Sequence, residues 1–213
     1  MITLPRPYIS YSAASLWFQS KSAYRSRYYF DAPPLSSVQM EFGKEVADIL
    51  KSDPEHPSVA NVIKYPIRDE GFTVSINEIN VLMYPDTLSL DGIPSFREYK
   101  SSEWIEGKPS WTAEKVDAHM QLKLYSLGIM KKYGDVQDLC HLDWLVTKMV
   151  DEINQIKING KQYDVAMPIP KLTGEVITFP CVVNDLERFR AAQWITQAAH
   201  EIANDFANYK NNL

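Results

Sequence analysis

The hydrophobic period of the chain changes several times along its length, and these changes limit the folds open to it. Before about residue 52 apolar side chains recur every three to four residues, as in helices, whereas between residues 71 and 100 they alternate, as in strands. The helical period returns at Thr112, and further strand and helix patterns follow. Helices and strands that alternate in this way pack helices against a sheet. We therefore predict an α/β fold with a mixed central β-sheet flanked by helices.

Capping residues and turn residues give approximate limits to these elements. Helices are predicted over the first thirty residues with Ser12 as cap, over 39–51, over 112–133 with Gly134 behind it, and from Asn184 to about residue 209. Strands are predicted over 71–90, up to Lys100, over 141–150, around an Asn159-Gly160 hairpin turn, and over 175–180.

The length and composition favour one globular domain over residues 1–213. Hydrophobic residues make up 45% and charged residues 23%, which excludes a disordered or fibrous chain. No apolar run reaches the roughly 18 residues of a spanning helix, so no membrane association is predicted. The N-terminus has no secretory signal pattern, and two cysteines cannot form a disulfide framework or a four-cysteine iron–sulfur cluster. A cytoplasmic location is the expectation.

The net charge of −5 excludes a protein that coats nucleic acid through a basic surface. It does not exclude an enzyme that acts on nucleic acid, because carboxylates that bind metal ions add negative charge at the site itself.

Two acidic residues stand where a predicted hairpin would bring them together. If the connection at 91–93 has an odd length, Asp86 lies directly opposite Glu98, with Cβ atoms about 4.5–5.5 Å apart. Such like charges repel, and a divalent cation would offset the repulsion. Lys100 shares the strand face of Glu98. An even connection would place the carboxylates on opposite faces unless Pro85 marks a bulge, and ordinary surface charges on an exposed hairpin are the alternative interpretation.

The helix that follows adds two polar side chains to this pattern. Gln121 and Tyr125 are four residues apart and so share one face of it. A polar helix face with one buried tyrosine would look the same, so the order of these residues after Asp86, Glu98 and Lys100 is the informative feature.

In this order the sequence resembles the RecB-type and lambda-exonuclease-like branches of the PD-(D/E)xK nuclease superfamily, which have a restriction-endonuclease-like core. The resemblance covers roughly residues 8 to 148. The matching motifs are Ile9-Ser-Tyr-Ser, Tyr24-Arg-Ser-Arg-Tyr-Tyr, Phe42-Gly-Lys, Pro85-Asp86, Glu98-Tyr-Lys100 and Gln121-Leu-Lys-Leu-Tyr125.

The resemblance implies a metal-dependent active site. Asp86, Glu98 and the backbone carbonyl of Tyr99 would bind Mg²⁺ or Mn²⁺, which prefer such oxygen ligands. Lys100 would orient the attacking water or help to deprotonate it, with its pKa lowered by the nearby ion. No iron–sulfur cluster is expected.

The resemblance also implies residues that contact DNA. Gln121 and Tyr125 would line the site and touch DNA or the metal-bound water. The segment 21–29 interleaves cations with aromatic residues, so Arg25 and Arg27 are further candidates for DNA binding. The alternative is an amphipathic helix that buries its tyrosines and leaves both arginines in solvent.

One position departs from the family pattern. The helix after Gly43 usually carries a His or Glu metal ligand four residues on, where this chain has Ala47. Of the nearby acids, Asp48 is closest in direction, about 100° around the helix, and is the candidate substitute. We expect weak Mg²⁺ binding, higher activity with Mn²⁺, and tighter metal binding if Ala47 is replaced by Glu or His.

The function implied is a divalent-metal-dependent DNA nuclease, an exonuclease rather than an endonuclease, that hydrolyses phosphodiester bonds through a metal-activated water. DNA is the predicted partner, with a recombination or replication protein as a second one, in a recombination, repair or phage-replication setting. The alternative is a weakly active or inactive module of the same fold that binds DNA or protein. A structural or assembly protein with coincidental motifs is the third possibility.

Overall fold

A computed structural model of the chain describes residues 2–33, 37–68, 70–105, 107–158 and 161–211. Within these ranges the chain forms six helices and eight strands, and the fold is mixed α/β, as predicted. The helices are α1 (Tyr11–Gln19), α2 (Lys21–Tyr28), α3 (Val38–Ser52), α4 (Ala113–Asp117), α5 (Met120–Tyr133) and α6 (Asp185–Asn211). The strands are β1 (Ile9–Ser10), β2 (Ile67–Arg68), β3 (Phe72–Ile76), β4 (Ile79–Met83), β5 (Thr87–Ser89), β6 (Ser95–Glu103), β7 (Leu139–Ile158) and β8 (Lys161–Val182). Among the helices so described, none is both long and apolar enough to cross a bilayer.

The strands form two mixed sheets, where the sequence predicts one. The first has the order β1-β4-β3, and the second has the order β2-β5-β6-β7-β8. Each sheet contains one parallel pair, β1 with β4 and β6 with β7, and the other neighbours are antiparallel. A parallel pair requires a long crossover, and α4 and α5 provide it between β6 and β7.

The predicted N-terminal helix is divided into α1 and α2. Ser10, rather than Ser12, caps α1, because its hydroxyl oxygen accepts a hydrogen bond from the Ala13 N–H at 3.3 Å. Ser20 has an extended backbone, ends α1 and caps α2 through the Ala23 N–H. A serine hydroxyl competes well for the free N–H groups of a helix start, so the second cap divides the helix.

The predicted helix over 112–133 is also divided. Thr112 caps α4 as predicted, but this helix ends at Asp117, and α5 begins at Met120 after a turn at His119. Gly134 ends α5 with a φ of 87°, a left-handed conformation that glycine adopts without strain. A third predicted cap is confirmed at α6, where the Glu187 N–H donates to Oδ1 of Asn184 at 3.1 Å.

The β7–β8 hairpin is longer than the sequence predicts. Its pairing runs from Leu139 opposite Val182 to Ile158 opposite Lys161, where two separate strands and a short hairpin between them were expected. β8 is the edge of its sheet, so prolines in it need not interrupt a ladder on both sides. These prolines are Pro168, Pro170 and Pro180. The predicted Asn159-Gly160 turn lies outside the described residues.

Alternation along β6 directs neighbouring side chains to opposite faces of the sheet. Tyr99 packs on the side of α3, against the cluster that contains Val46 and Leu50. Glu98 points to the side of α5, where it meets Gln121. The larger core also lies on this second side and includes buried residues of α1, α5 and α6. The site residues of β6 therefore have helices on both sides.

Candidate active site

The β5–β6 hairpin brings Asp86 to Glu98 in the predicted register. Thr87 pairs with Arg97 and Ser89 with Ser95, as an odd-length connection requires. One residue before this ladder, Oδ2 of Asp86 accepts a hydrogen bond from the Tyr99 N–H at 2.6 Å. The register prediction is therefore confirmed, and no bulge at Pro85 is needed to place the Asp86 carboxylate beside β6.

Glu98 is the centre of a chain of hydrogen bonds. It is 2% exposed, and its Oε1 accepts bonds from Nζ of Lys100 at 2.8 Å and from Nε2 of Gln121 at 2.5 Å. Nε2 of Gln121 also donates to the hydroxyl oxygen of Tyr125 at 3.1 Å. Four side chains that the sequence predicts to act together are thus connected in one network.

The second carboxylate oxygen of Glu98, Oε2, is buried and has no hydrogen-bond partner. An ionised carboxylate oxygen in this state costs free energy, because it has lost its water without gaining a donor or a cation. Such an orphaned oxygen beside a second carboxylate suits a hard divalent cation, which prefers oxygen ligands. The donor set of Asp86 and Glu98 therefore fits one Mg²⁺ or Mn²⁺ ion.

The charges around Lys100 hold it in the ammonium form. Burial alone would lower the pKa of Lys100, but the carboxylates of Glu98 and Asp86 outweigh burial and raise it. Burial raises the pKa of the Tyr125 hydroxyl, and the charge of Glu98 raises it further. In the protein alone, Lys100 is therefore a cation and Tyr125 a neutral phenol.

A cavity of about 160 Å³, here called the α3 cavity, lies between α3 and the sheet. Its lining includes Ala47, Lys51, Lys64, Arg68, Asp86 and Lys100. The sequence-based placement of Ala47 next to the site is thus confirmed. Asp48 is exposed and does not line this cavity, because one residue further along α3 its side chain leaves the cavity side. The structure does not bring the proposed substitute ligand to Asp86 and Glu98.

No third acidic ligand replaces it within the part of the chain that the structure describes. Nowhere in these residues are three or more His, Cys, Asp or Glu side chains grouped closely enough to hold a metal ion. The two carboxylates can be supplemented by a backbone carbonyl, as predicted for Tyr99, but not by a further acid from α3.

A larger groove of about 650 Å³, here called the tyrosine groove, opens on the side of α5. Gln121 and Tyr125 line it, so it borders the Glu98 network directly. Its other aromatic and cationic lining consists of Tyr8, Tyr11, Tyr24, Tyr28, Tyr84, Arg6 and Arg27. Tyr8 and Tyr84 are 42% and 49% exposed, so rings are available at the surface. Tyr8, Tyr84 and Arg6 were not predicted for the site, although Tyr84 directly precedes Pro85-Asp86, and Tyr11 was recognised only within the Ile9-Ser-Tyr-Ser motif.

The two arginines predicted to bind DNA have different positions. Arg27 is exposed, lines the tyrosine groove and lies over the Tyr28 ring at 5.6 Å. Arg25 points to α6 instead, where its Nε donates to Asp205 at 2.9 Å and its Nη2 makes a second bond to the same carboxylate. Arg25 therefore serves to hold α2 against α6, and only Arg27 is brought to the site.

His119, which directly precedes α5, lies near Lys100 and was not among the residues predicted for the site. His119 lies between the rings of Tyr11 and Trp111, with centroid distances of 5.7 and 5.1 Å. Burial, and the charge of Lys100, lower its pKa to about 4. Its buried Nδ1 has no hydrogen-bond partner. His119 is thus a neutral ring packed against Tyr11 and Trp111.

Comparisons with known proteins add little to this geometry. No family model matches the sequence, and no curated protein matches it. Among solved structures, the crystal structure of SSO0001 is similar with a TM-score of 0.41 and 10% sequence identity, over 91% of this chain and 75% of that chain. So distant a likeness identifies neither a family nor a function.

Proposed function

We propose that this protein is a divalent-metal-dependent deoxyribonuclease of the PD-(D/E)xK type with a restriction-endonuclease-like core, acting in the cytoplasm. The observation that carries the proposal is the Glu98 carboxylate. It is buried, it accepts a hydrogen bond from Lys100, and its Oε2 has no partner. Asp86 accepts a hydrogen bond from the N–H of the next residue, Tyr99. A buried carboxylate oxygen of this kind is costly for stability alone and useful as a ligand.

Asp86 and Glu98 would hold Mg²⁺ or Mn²⁺, with the Tyr99 carbonyl as a third ligand. When bound, the ion would polarise a phosphate oxygen and lower the pKa of a coordinated water. The Lys100 ammonium, which donates to Glu98, would hold the attacking water or a phosphate oxygen in line. Gln121 fixes the other side of the Glu98 oxygen, and this limits the rotation of the carboxylate.

The tyrosine groove supports DNA as the substrate. Bases of an unpaired strand stack on tyrosine rings, and arginines neutralise the phosphates between them. A groove that leads from Arg27 and Tyr28 to Gln121 would guide a strand to Glu98. We therefore propose an exonuclease that takes a strand end, in a recombination, repair or phage-replication setting.

An assay on linear, circular and single-stranded DNA with Mg²⁺ or Mn²⁺ tests the proposal. We expect linear DNA to be degraded to nucleotides, with higher activity in Mn²⁺, and closed circular DNA to stay intact. Cleavage of closed circles would contradict the exonuclease assignment, and absence of cleavage with either metal would contradict the nuclease assignment.

A second candidate is a module of the same fold that binds DNA without cutting it. The observation that favours it is the absence of a third metal-binding acid among the described residues, with Ala47 at the position where one is expected. Saturable DNA binding without cleavage in Mg²⁺ or Mn²⁺ is the result expected for this candidate.

A further inference from the structure

An exposed tryptophan, Trp104, follows β6 directly and is 49% exposed. Its N–H donates to the Thr147 carbonyl of β7 at 3.2 Å, so its backbone continues the pairing of the two strands. Even numbers of residues separate Glu98, Lys100 and Trp104, and residues so spaced share one face of a strand. Alternation therefore places the Trp104 ring on the Glu98 side of the sheet.

The ring contact of Trp104 agrees with this placement. Trp144 lies opposite Lys100 in the register of β6 and β7 and is fully buried in the larger core, on the side of α5. The Trp104 ring stacks on it, with 5.4 Å between the ring centroids and 20° between the planes. Nε1 of Trp144 donates to the Ser102 carbonyl at 3.0 Å, which fixes the buried ring of the stack. Trp104 thus has a firm support on one face, while much of its side chain is open to solvent.

A single exposed apolar residue is common on protein surfaces and needs no ligand. Trp104 differs because its ring is immobilised in advance, so a ligand that stacks on it pays little conformational entropy. It also lies four residues beyond Lys100, about 13 Å at the rise of a strand. Four stacked nucleotides span about the same distance. A nucleic-acid strand with a phosphate at Lys100 would therefore reach the Trp104 ring.

Trp104 and the tyrosine groove lie on opposite sides of the Glu98 site. Tyr84 lines the groove and comes shortly before β5, whereas Trp104 stacks on Trp144 of β7. In the sheet, β6 lies between β5 and β7. A strand that follows the tyrosine groove to Glu98 and continues across β6 would therefore meet Trp104 next.

We propose that Trp104 is a base-stacking residue that holds one unpaired base of the nucleic-acid substrate, on the far side of the Glu98 site from the tyrosine groove. This inference rests on the proposed function and deepens it. Every base has a π face, so such a contact does not depend on the base sequence, as suits an exonuclease. A strand held on both sides of Glu98 would keep the phosphate that is to be cleaved in position between them.

The competing interpretation is purely structural, because the Trp104 ring also covers Trp144. That role predicts a loss of stability on substitution but no change in DNA affinity. Two variants separate the roles, since Trp104→Leu keeps an apolar cover without a flat ring and Trp104→Phe keeps a ring. Binding and urea unfolding are therefore measured on the same variants.

The test is binding of the full chain, in EDTA, to fluorescent oligothymidine and to an abasic strand of the same length, which has phosphates but no bases. Trp104→Leu should bind oligothymidine about 5–150-fold more weakly than the wild type, the range for the loss of one stacked base. Trp104→Phe should keep most of the affinity, and all three proteins should bind the abasic strand equally. The control is Phe189→Leu, because Phe189 is an exposed ring on α6 that lines no part of the tyrosine groove and should leave both affinities unchanged.

A second measurement needs no variant. Of the five tryptophans only Trp104 is exposed, so oligothymidine should protect the wild-type fluorescence from quenching by acrylamide, and the abasic strand should not. Absence of this protection would overturn the stacking role, even if Trp104→Leu fails to fold.

Equal affinity of Trp104→Leu and the wild type for oligothymidine would also overturn it, as would an equal loss of affinity for the abasic strand. Cleavage in Mn²⁺ together with unchanged binding by Trp104→Leu would refute the stacking role and leave the proposed function standing. Binding that depends on Trp104, without cleavage in Mn²⁺, would do the reverse.

Discussion

Two neighbouring residues of β6, Arg97 and Glu98, carry buried charges to opposite faces of the sheet, and their surroundings differ. Arg97 is 4% exposed and makes two bonds to Asp143 of β7, from Nε at 2.6 Å and from Nη2 at 2.7 Å. The Thr178 hydroxyl of β8 donates to the same carboxylate at 2.6 Å. Glu98 has two donors on one oxygen and none on the other.

This difference separates a charge that holds the fold from one available for a ligand. The Arg97–Asp143 pair connects β6 with β7, and the Thr178 hydroxyl adds β8. Its geometry is the bidentate one that gives strong ion pairs. Burial would lower the pKa of Arg97, but the bonds to Asp143 outweigh burial and raise it. Glu98 is equally buried, but one of its carboxylate oxygens has no hydrogen-bond partner. A buried charge alone therefore does not indicate function. A buried charged group that lacks a hydrogen-bond partner does.

Lys100→Ala should give the largest effect, because Lys100 belongs to the Glu98 network, where one carboxylate oxygen has no partner. Cleavage should fall by about 10²–10³-fold, the range typical for removing one fixed donor that stabilises charge in the transition state. Excess metal should not restore it, because the carboxylates remain. Glu98→Gln should instead regain part of its activity at high metal concentration. A titration of cleavage rate against Mn²⁺ for both variants and the wild type measures this, and full activity of either variant at ordinary metal levels would remove the residue from the mechanism.

Asp143→Ala should give the next largest effect, because it breaks the Arg97–Asp143 pair. It leaves the Arg97 charge buried without its partner, which destabilises by about 3–5 kcal/mol. The free energy of unfolding in urea measures the loss. The double variant Arg97→Met/Asp143→Leu is the control and should regain most of the stability, since it removes both charges. Glu98→Gln should remain close to the wild type in the same experiment; a loss as large as that of Asp143→Ala would mean that Glu98 is structural too.

The sequence predicted the contacts of the Glu98 network better than it predicted the Arg97–Asp143 pair, for a physical reason. Asp86 and Glu98 are joined by a short hairpin, and Gln121 and Tyr125 by one helical turn, so local geometry relates each pair. Arg97 and Asp143 meet only because β6 and β7 pair in parallel across the α4–α5 crossover.

Distance along the chain also explains which contacts the sequence did not predict. The tyrosine groove joins residues of α1, α2, β4 and α5, which no local pattern connects. Arg25 was assigned to DNA because its partner Asp205 lies on α6, at the other end of the chain. Alternation of polar and apolar residues indicated strands in the region of β7 and β8, but not that they form one continuous hairpin on a sheet edge.

His119 is a second buried group with an unpartnered atom, and the pH dependence of the free energy of unfolding tests its effect on stability. Its pKa of about 4 lies below the ordinary value of about 6.5, so the unfolded chain binds more protons between these values. The free energy of unfolding should therefore fall as the pH is lowered from 6.5 to 4, by up to about 3 kcal/mol. His119→Gln, which cannot gain this proton, should show a flatter pH dependence in urea unfolding. Identical slopes in the two proteins would show that His119 does not contribute to the loss of stability in acid.

Arg25 and Arg27 repeat the comparison on one short helix and should give the smallest effects. Arg27→Ala should lower the slope of log affinity for DNA against log salt by about one, as expected when one phosphate contact is lost. Arg25→Ala should leave that slope unchanged, because Asp205 already satisfies its charge. It should instead lower the free energy of unfolding by less than about 1 kcal/mol, since the pair is partly exposed. Binding of a fluorescent single strand at several salt concentrations in EDTA, with unfolding measured in parallel, decides the matter. A changed slope in Arg25→Ala would show that an arginine paired with a carboxylate can still contact DNA. The difference between paired and available charges found at Arg97 and Glu98 would then not apply to α2.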